Sequence, residues 1–332
     1  KNNKLYPIHF FKCDYPKAWK RSKGLKEFLN KNISSFDVIH MHSMYLYHNY
    51  IGYIYAKKLD IPIIIRPHGT LDPVIQNKLN LSRFIMKILF QNKLNKHAKL
   101  FHFTSEIEKK ICVSRDIKNK SVIIPTPLNL ENYFNKKFTK NITLADDLEK
   151  KTRNKFTFIF YGRLNYKKGI KLLLFSFKKV LSENKNLVLL FVGPDEGEKK
   201  YINKFINENN LHNEIFIYGI QKNPYDFFNV SDYFVLPSES ENFGLAVFEA
   251  LAFGLPVIVS NKVSIHADIT KYKIGFVCEN NSLSLSKSMK SALLSKFSNI
   301  SNIFKKLYEE KYNASKSTKL LIDNYEKIIL KK

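Results

Sequence analysis

Residues 156–193 read FTFIFYGRLNYKKGIKLLLFSFKKVLSENKNLVLLFVG, with two apolar runs on either side of an amphipathic run. Phe156–Tyr161 and Leu187–Val192 are almost continuously apolar, which is typical of parallel strands buried on both faces. Ile170–Leu181 has the length and the apolar spacing of a helix. A strand, a helix and a second strand in this order predict a parallel pair joined by a crossover helix.

The same alternation runs along the whole chain. Other strand-like runs are Asp37–His40, Pro62–Arg66, Leu100–Phe103, Val122–Ile124, Ile215–Tyr218, Tyr233–Leu236, Pro256–Ser260 and Gly275–Cys278. Since helix-length segments separate most of them, we expect an α/β fold of doubly wound parallel sheets. A polar stretch from Leu128 to Lys155 marks a boundary. We therefore expect a first domain over 1–140, a second over 141–310 and a C-terminal helix over 311–332.

Composition excludes several classes of protein. The 332 residues are 44% hydrophobic and 25% charged, as in an ordinary folded protein and unlike a disordered or collagen-like chain. No window approaches the roughly 18 uncharged apolar residues of a spanning helix. Cys13, Cys112 and Cys278 lie far apart and match no metal-site spacing, so we expect reduced thiols in a cytoplasmic protein.

The net charge of +26 would attract polyanions, namely nucleic acid, anionic lipid or phosphorylated substrates. The excess is spread over both halves of the chain, and richness in Lys, Asn and Ile together is equally typical of AT-rich codon usage. No known nucleic-acid-binding module is present, and the aromatic residues fall mainly in predicted core strands. We therefore expect no nucleic-acid partner.

A first candidate anion site follows the strand Tyr233–Leu236, where residues 237–250 read PSESENFGLAVFEA. A helix is predicted from Leu245, and its leading amides would attract an anion, with Gly244 allowing close approach. Glu241 in the loop and Glu249 one turn into the helix would repel a bare phosphate but suit a ligand that also carries hydroxyls. The alternative is that both glutamates are solvated surface charges.

A second candidate site follows the strand Phe156–Tyr161. Gly162 allows a sharp exit from the sheet, and Arg163 and Lys168 would overhang the same strand ends. A guanidinium and an ammonium at this place could neutralise a diphosphate, or they could be two more cations in a lysine-rich chain. Asp-x-Asp, Gly-x-Gly and the P-loop pattern are all absent from the sequence, which favours neutralisation by Arg and Lys without a metal or cofactor.

In the first half, His68 follows the strand Pro62–Arg66 and lies at a predicted strand end, where ligands bind in open α/β sheets. His40 and His42 end another strand, but a metal site there lacks a third ligand. Ser105 and Glu108 form a predicted capping box without chemistry. The run Leu79–Leu100 mixes apolar residues with Arg83, Lys87, Lys93, Lys96 and Lys99. It is either a basic face for an anionic membrane or a helix with a solvated basic side.

Together these motifs resemble the retaining glycosyltransferases of family 4, which have the GT-B fold of two Rossmann-like domains facing across a cleft. Gly162–Gly169 is similar to the family's diphosphate-binding signature, and Glu241 to Glu249 has its two-glutamate spacing. Further segments fall in the family's order: Val192–Gly197, Tyr218-Gly219, Ser231-Asp232, Gly254–Val257, Pro125–Phe134 and Tyr312–Leu330. The last of these resembles a helix that returns toward the first domain.

The resemblance implies a role for each matching residue. Arg163 and Lys168 would bind the donor diphosphate and stabilise the departing nucleotide, while Glu241 would bind sugar hydroxyls and Glu249 the ribose. His68 matches a cleft histidine near the donor sugar. The implied catalytic residues are His68, Arg163, Lys168 and Glu241. The implied donor-binding residues are Gly162, Arg163, Lys168, Gly193, Glu241, Asn242, Phe243, Gly244, Leu245 and Glu249.

The implied activity is metal-independent transfer of a sugar, with retained configuration, from a UDP- or GDP-linked donor to a glycan or lipid-linked glycan. The setting would be surface polysaccharide or lipopolysaccharide synthesis, in the cytoplasm or at the inner face of the plasma membrane. Front-face displacement is expected, with Glu241 as a covalent nucleophile the alternative. Other hypotheses are a nucleotide-sugar epimerase of the same fold and a non-catalytic binding remnant. Nothing before Phe10 resembles the family's first strand and glycine-rich loop, so we expect an N-terminally truncated first domain.

Overall fold

The computed structural model describes residues 7–15, 17–72, 81–113, 117, 120–139, 141–221 and 224–330. The chain divides into two units. Unit 1 comprises Lys1–Ile124 and Thr318–Lys332, and unit 2 comprises Pro125–Ser317. Each unit is built on its own parallel sheet. The predicted α/β fold with two parallel-sheet domains is thereby confirmed.

Unit 1 contains a parallel sheet of order β1-β2-β3-β4. Its strands are β1 (Ile39–His42), β2 (Ile63–Arg66), β3 (Leu100–Phe103) and β4 (Ser121–Ile123). Its helices are α1 (Lys23–Asn32), α2 (Tyr47–Lys58), α3 (Leu81–Met86), α4 (Asn92–His97) and α5 (Glu106–Val113), with a π-helical turn at Lys87–Gln91. All residues of β2 and β3 are buried, as continuous apolar strands predict.

Unit 2 contains a parallel sheet of order β10-β9-β8-β5-β6-β7. Its strands are β5 (Phe156–Tyr161), β6 (Leu187–Val192), β7 (Ile215–Tyr218), β8 (Tyr233–Leu236), β9 (Val257–Ser260) and β10 (Gly275–Cys278). Its helices are α6 (Glu131–Phe134), α7 (Ile142–Thr152), α8 (Ile170–Leu181), α9 (Lys199–Asn209), α10 (Tyr225–Asn229), α11 (Leu245–Phe253), α12 (His266–Tyr272), α13 (Ser282–Leu294) and α14 (Ile300–Leu307). The order reverses between β5 and β8, so the loops after these neighbouring strands meet at one sheet edge.

The predicted domain boundary differs from the division of the structure. Residues 125–140 were assigned to the first domain, but Leu128 and Leu130 are buried in the core of unit 2. The Tyr308 hydroxyl also donates a 2.7 Å hydrogen bond to the Leu128 carbonyl. The last helix, α15 (Ala314–Ile329), begins in unit 2 and joins unit 1 from Thr318 onward. The stretch is mostly polar, but its few buried apolar side chains place it in unit 2.

Among the described residues, no helix has both the length and the apolar character needed to cross a bilayer.

Candidate functional site

The loops after β5 and β8 pack directly against each other in unit 2. Gly169 has φ of +70°, and a Cβ atom there would lie 2.0 Å from the Pro237 carbonyl oxygen. The Glu239 amide donates to the Lys167 carbonyl at 2.8 Å. Only glycine permits this backbone approach, which brings together two motifs about seventy residues apart.

Lys168 and Glu241 form an ion pair at this junction. Their side chains are only 18% and 16% exposed, so Glu241 is not the solvated loop residue of the alternative interpretation. The backbone of Glu241 is fixed as well, because its amide donates to the Lys262 carbonyl at 3.2 Å and its carbonyl accepts from Ser264. The predicted phosphate-binding cation and the predicted sugar-binding carboxylate thus neutralise each other.

Arg163 lies on the loop after β5 and pairs with a residue that the sequence did not identify. Its Nη1 atom donates to both carboxylate oxygens of Glu196 at 2.9 Å, and Asn165 donates to the same carboxylate at 3.1 Å. These hydrogen bonds lower the pKa of Glu196. The Arg163 side chain is 61% exposed, so the guanidinium remains open to solvent and to ligands.

Glycines again explain why Arg163 and Glu196 meet. A Cβ atom at Gly193, which has φ of +141°, would lie 2.0 Å from the Gly162 carbonyl oxygen. The Gly162 amide donates to the Val192 carbonyl at 2.9 Å, so the exits of β5 and β6 run side by side. The position of Glu196 just beyond β6 was the available signal, because adjacent parallel strands end at the same edge.

Helix α11 begins beside this loop cluster, and Gly244 precedes it with φ of +78°. The ring of Phe243 stacks on Phe248 with centroids 4.6 Å apart, and Ser264 donates to the Phe243 carbonyl. Phe243 therefore anchors the turn from inside, whereas Leu245 is exposed. Asn242 lies in the same turn. The leading amides of a helix have no intrahelical acceptors and offer hydrogen bonds to an anion.

Glu249 lies one turn into α11 and is half-buried. Burial raises its pKa, while a hydrogen bond from the Tyr133 hydroxyl opposes that rise. Burial of the Tyr133 hydroxyl and the nearby Glu249 carboxylate raise the pKa of Tyr133. Glu249 is thus a partly desolvated acceptor and not a helix surface charge. Tyr133, on α6, was not identified because its segment was assigned to the other domain.

His68 lies in unit 1, two residues beyond β2, with φ of +54°. Its Nε2 atom hydrogen-bonds to Nδ1 of His42 at 2.8 Å. Burial, followed by the charge of Arg66, lowers the pKa of His68 to about 4. In the described ranges, no group of three or more His, Cys, Asp or Glu side chains could hold a metal ion.

Glu108 does more than cap α5. Its amide donates the capping hydrogen bond to Ser105 Oγ at 3.1 Å, in agreement with the predicted capping pair. Its buried carboxylate accepts from the amide of Gly69 at 2.7 Å and from the amide and hydroxyl of Thr104 at 2.8 Å. Glu108 therefore fixes the backbone turn that carries His68.

The surface of the predicted run Leu79–Leu100 is apolar as well as basic. Residues 79 and 80 and the side chain of Arg83 lie outside the described part. Phe90 and Leu94 point into the core of unit 1. Phe84, Ile85, Ile88 and Leu89 are exposed, and so are Lys87, Lys93, Lys96 and Lys99.

Two parallel-sheet units, with charged loops at the strand ends of unit 2, define a GT-B protein of the glycosyltransferase class. The chain belongs to the glycosyl transferases group 1 family, whose sequence model matches residues 144–314. The model of Glycosyltransferase Family 4 matches residues 3–132.

Individual relatives agree with this assignment. A glycosyltransferase of Methanocaldococcus jannaschii is 35% identical over 178 residues, which cover 52% of this chain and 42% of that protein. The UDP-Gal:alpha-D-GlcNAc-diphosphoundecaprenol alpha-1,3-galactosyltransferase of Escherichia coli is 27% identical over 258 residues, or 75% of this chain and 64% of that protein. The chain thus spans less than two thirds of the length of these curated relatives.

Solved structures share the fold. Sucrose-phosphate synthase from Thermosynechococcus elongatus superposes with a TM-score of 0.75 at 18% identity, covering 93% of this chain and 78% of that one. Anabaena HepE in complex with UDP-glucose also superposes with a TM-score of 0.75, at 15% identity, covering 97% of this chain and 86% of that one.

Proposed function

We propose that the protein transfers a sugar from a UDP- or GDP-linked donor to a glycan or lipid-linked glycan during surface polysaccharide synthesis. One observation carries the proposal: the Lys168–Glu241 pair lies beside Gly244 and the start of α11, with Glu249 one turn further on. A cation, helix amides and hydroxyl-binding carboxylates in one place suit a nucleotide sugar. The E. coli relative, by its name, uses UDP-galactose and a lipid-linked acceptor.

In this proposal the chain's own cations neutralise the diphosphate. Arg163 and Lys168 bind its oxygens together with the amides of residues 243–245, and no metal is required. Glu249 accepts from the ribose hydroxyls, and Tyr133 holds its carboxylate in place. These groups act where negative charge grows as the nucleotide departs.

The proposed reaction retains the anomeric configuration by front-face displacement. Glu241 binds sugar hydroxyls, and its pairing with Lys168 favours this role over covalent attack because the cation withdraws charge from the carboxylate. His68 is proposed to take part in the same transfer. Product analysis by NMR tests the stereochemistry, and donor turnover with and without an acceptor separates transfer from epimerisation.

Glu196 competes with the donor for Arg163 in this account. Glu196→Gln removes the carboxylate that engages the guanidinium, and we expect UDP to bind about two- to fivefold more tightly, since an exposed pair is worth up to about 1 kcal/mol. Isothermal titration measures the change. Glu183→Gln, which breaks the exposed pair of Glu183 with Lys290, is the matched control and should leave UDP affinity unchanged. Weaker binding by Glu196→Gln would contradict the proposed competition.

We further propose that the exposed face of Phe84, Ile85, Ile88 and Leu89 contacts an anionic membrane, where lipid-linked acceptors reside. The apolar side chains and the neighbouring lysines give this helical segment the two contributions that interfacial binding needs, buried area and charge attraction. The lysines favour phosphatidylglycerol-containing surfaces over neutral ones.

This membrane contact predicts a loss of vesicle binding in a double variant. Phe84→Ala with Ile88→Ala should weaken sedimentation with phosphatidylglycerol vesicles by about tenfold or more, because each buried large side chain contributes about 1.5–3 kcal/mol. Leu283→Ala with Leu294→Ala, two leucines of unit 2 that are even more exposed than Phe84 and Ile88, should have no effect. Equal vesicle binding by the two double variants would disprove the assigned surface. So would binding of the unsubstituted protein to phosphatidylcholine vesicles that equals its binding to phosphatidylglycerol vesicles.

A further inference from the structure

The contact between His42 and His68 joins the ends of two neighbouring strands in unit 1. His42 is the last residue of β1 and lies in register with Arg66, the last residue of β2. From there the chain turns and places the ring of His68 against that of His42, with centroids 5.0 Å apart and an interplanar angle of 29°. His42 Nδ1 and His68 Nε2 are the two atoms in contact, at 2.8 Å.

The hydrogen bond between His42 and His68 couples the protonation states of the two rings. Both residues are exposed at the surface, but the packing of the two rings desolvates them enough to lower the pKa of both histidines to about 4, and the charge of Arg66 adds to the effect. Both rings are therefore neutral near pH 7. A neutral imidazole has one donor and one acceptor nitrogen, so a single proton lies between Nδ1 of His42 and Nε2 of His68. The tautomer of His42 thus determines the tautomer of His68.

Both residues are fixed independently of each other. His48 Nε2 hydrogen-bonds to the His42 carbonyl at 2.7 Å, and the ring of His40 packs 4.8 Å from that of His42. On the other side, the Gly69 amide donates to buried Glu108, which holds the turn after His68. Hydrogen bonds therefore hold the backbone on both sides of the contact between His42 and His68.

We propose that His42 is a positioning residue, which holds the ring of His68 in one orientation and one tautomer and leaves Nδ1 of His68 to face the substrate. The inference rests on the proposed function, in which His68 serves sugar transfer. Second partners of this kind commonly fix which nitrogen of a functional histidine carries the proton.

Histidine NMR tests the positioning role without any substrate. The full chain is labelled with [15N]histidine, and long-range 1H–15N spectra at pH 7 report each tautomer, with His68→Gln assigning the His68 signals. We expect one neutral tautomer for His68 in the unsubstituted protein and averaged signals in His42→Phe. His42→Asn should restore a single tautomer, because the Asn amide can place one hydrogen-bonding group, its oxygen or its nitrogen, near the position of Nδ1.

His97→Phe is the control, since the His97 ring lies against Tyr53, whereas the ring of His68 lies against that of His42. It should leave the His68 signals unchanged. An unaltered His68 tautomer in His42→Phe, or averaged signals already in the unsubstituted protein, would overturn the proposal. His42→Leu also removes the ring nitrogens and keeps the test decisive if the phenylalanine variant does not fold.

A kinetic measurement separates this inference from the proposed function. His42→Phe should lower kcat about five- to tenfold, the range of one net hydrogen bond, with little change in KM, and His42→Asn should recover most of it. If the unsubstituted protein transfers no sugar, the proposed function fails while the NMR result still decides the role of His42. If transfer occurs and His42→Phe keeps full kcat, the positioning role fails and the function stands.

Discussion

Lys168→Ala is expected to lower kcat/KM for sugar transfer by about 10²–10³-fold, the loss that follows removal of one preorganised charge-stabilising group. Lys168 neutralises Glu241 in a largely buried place beside the start of α11. Its removal takes a cation from the diphosphate and leaves a carboxylate that repels the same group. Initial rates over a range of donor concentrations measure the effect.

Two matched variants show whether the loss is specific. Lys167→Ala removes the neighbouring lysine, whose ammonium lies 5.9 Å from the Tyr166 ring centroid, and should change kcat/KM less than about threefold. Lys168→Ala combined with Glu241→Gln should recover thermal stability without recovering activity, because the uncompensated charge is gone but the cation is still missing. Full activity of Lys168→Ala would show that Lys168 does not take part in donor binding or catalysis.

Gly169→Ala is expected to destabilise unit 2 by about 2–5 kcal/mol, the combined cost of a left-handed backbone and of overpacking. The new Cβ atom would lie 2.0 Å from the Pro237 carbonyl oxygen, and backbone cannot rotate away as a side chain can. The loops after β5 and β8 must therefore separate, which also parts Lys168 from Glu241. We expect the unfolding midpoint to fall by on the order of 10 °C.

Gly219→Ala is the control for that prediction. A Cβ atom at Gly219 meets no heavy atom within 4 Å, so the change in unfolding free energy should stay within about 0.5 kcal/mol. Calorimetry of both variants gives the comparison. Equal midpoints for the two alanine variants would show that the close approach at Gly169 does not hold the loops together.

The strands could be predicted because their sequences are continuously apolar. Phe156–Tyr161, Leu187–Val192 and Tyr233–Leu236 have the predicted bounds, since buried strands hold few polar residues that would make their ends uncertain. At the edge of the other sheet, β1 begins at Ile39 and not at Asp37, because Ile39 is the first residue in register with β2.

The partners of the site residues could not be predicted in the same way. Arg163 meets Glu196 across 33 positions and Lys168 meets Glu241 across 73, and both contacts depend on glycines that bring separate loops together. Strand patterns indicate which edge a loop reaches but not which side chains touch there. Tyr133 was missed for another reason: its segment was assigned to the first domain, although Leu128 and Leu130 anchor that segment in the core of unit 2.

Titration of UDP and GDP in the presence of EDTA tests the central claim most directly: unit 2 holds a nucleotide diphosphate with its own cations. The chain should bind one of the two nucleotides without a metal, and Arg163→Ala with Lys168→Ala should weaken that binding by about 100-fold or more, since each hydrogen bond to a charged group contributes about 1.5–3 kcal/mol. Undiminished binding by the double variant, or binding that appears only when Mg²⁺ is added, would contradict the account.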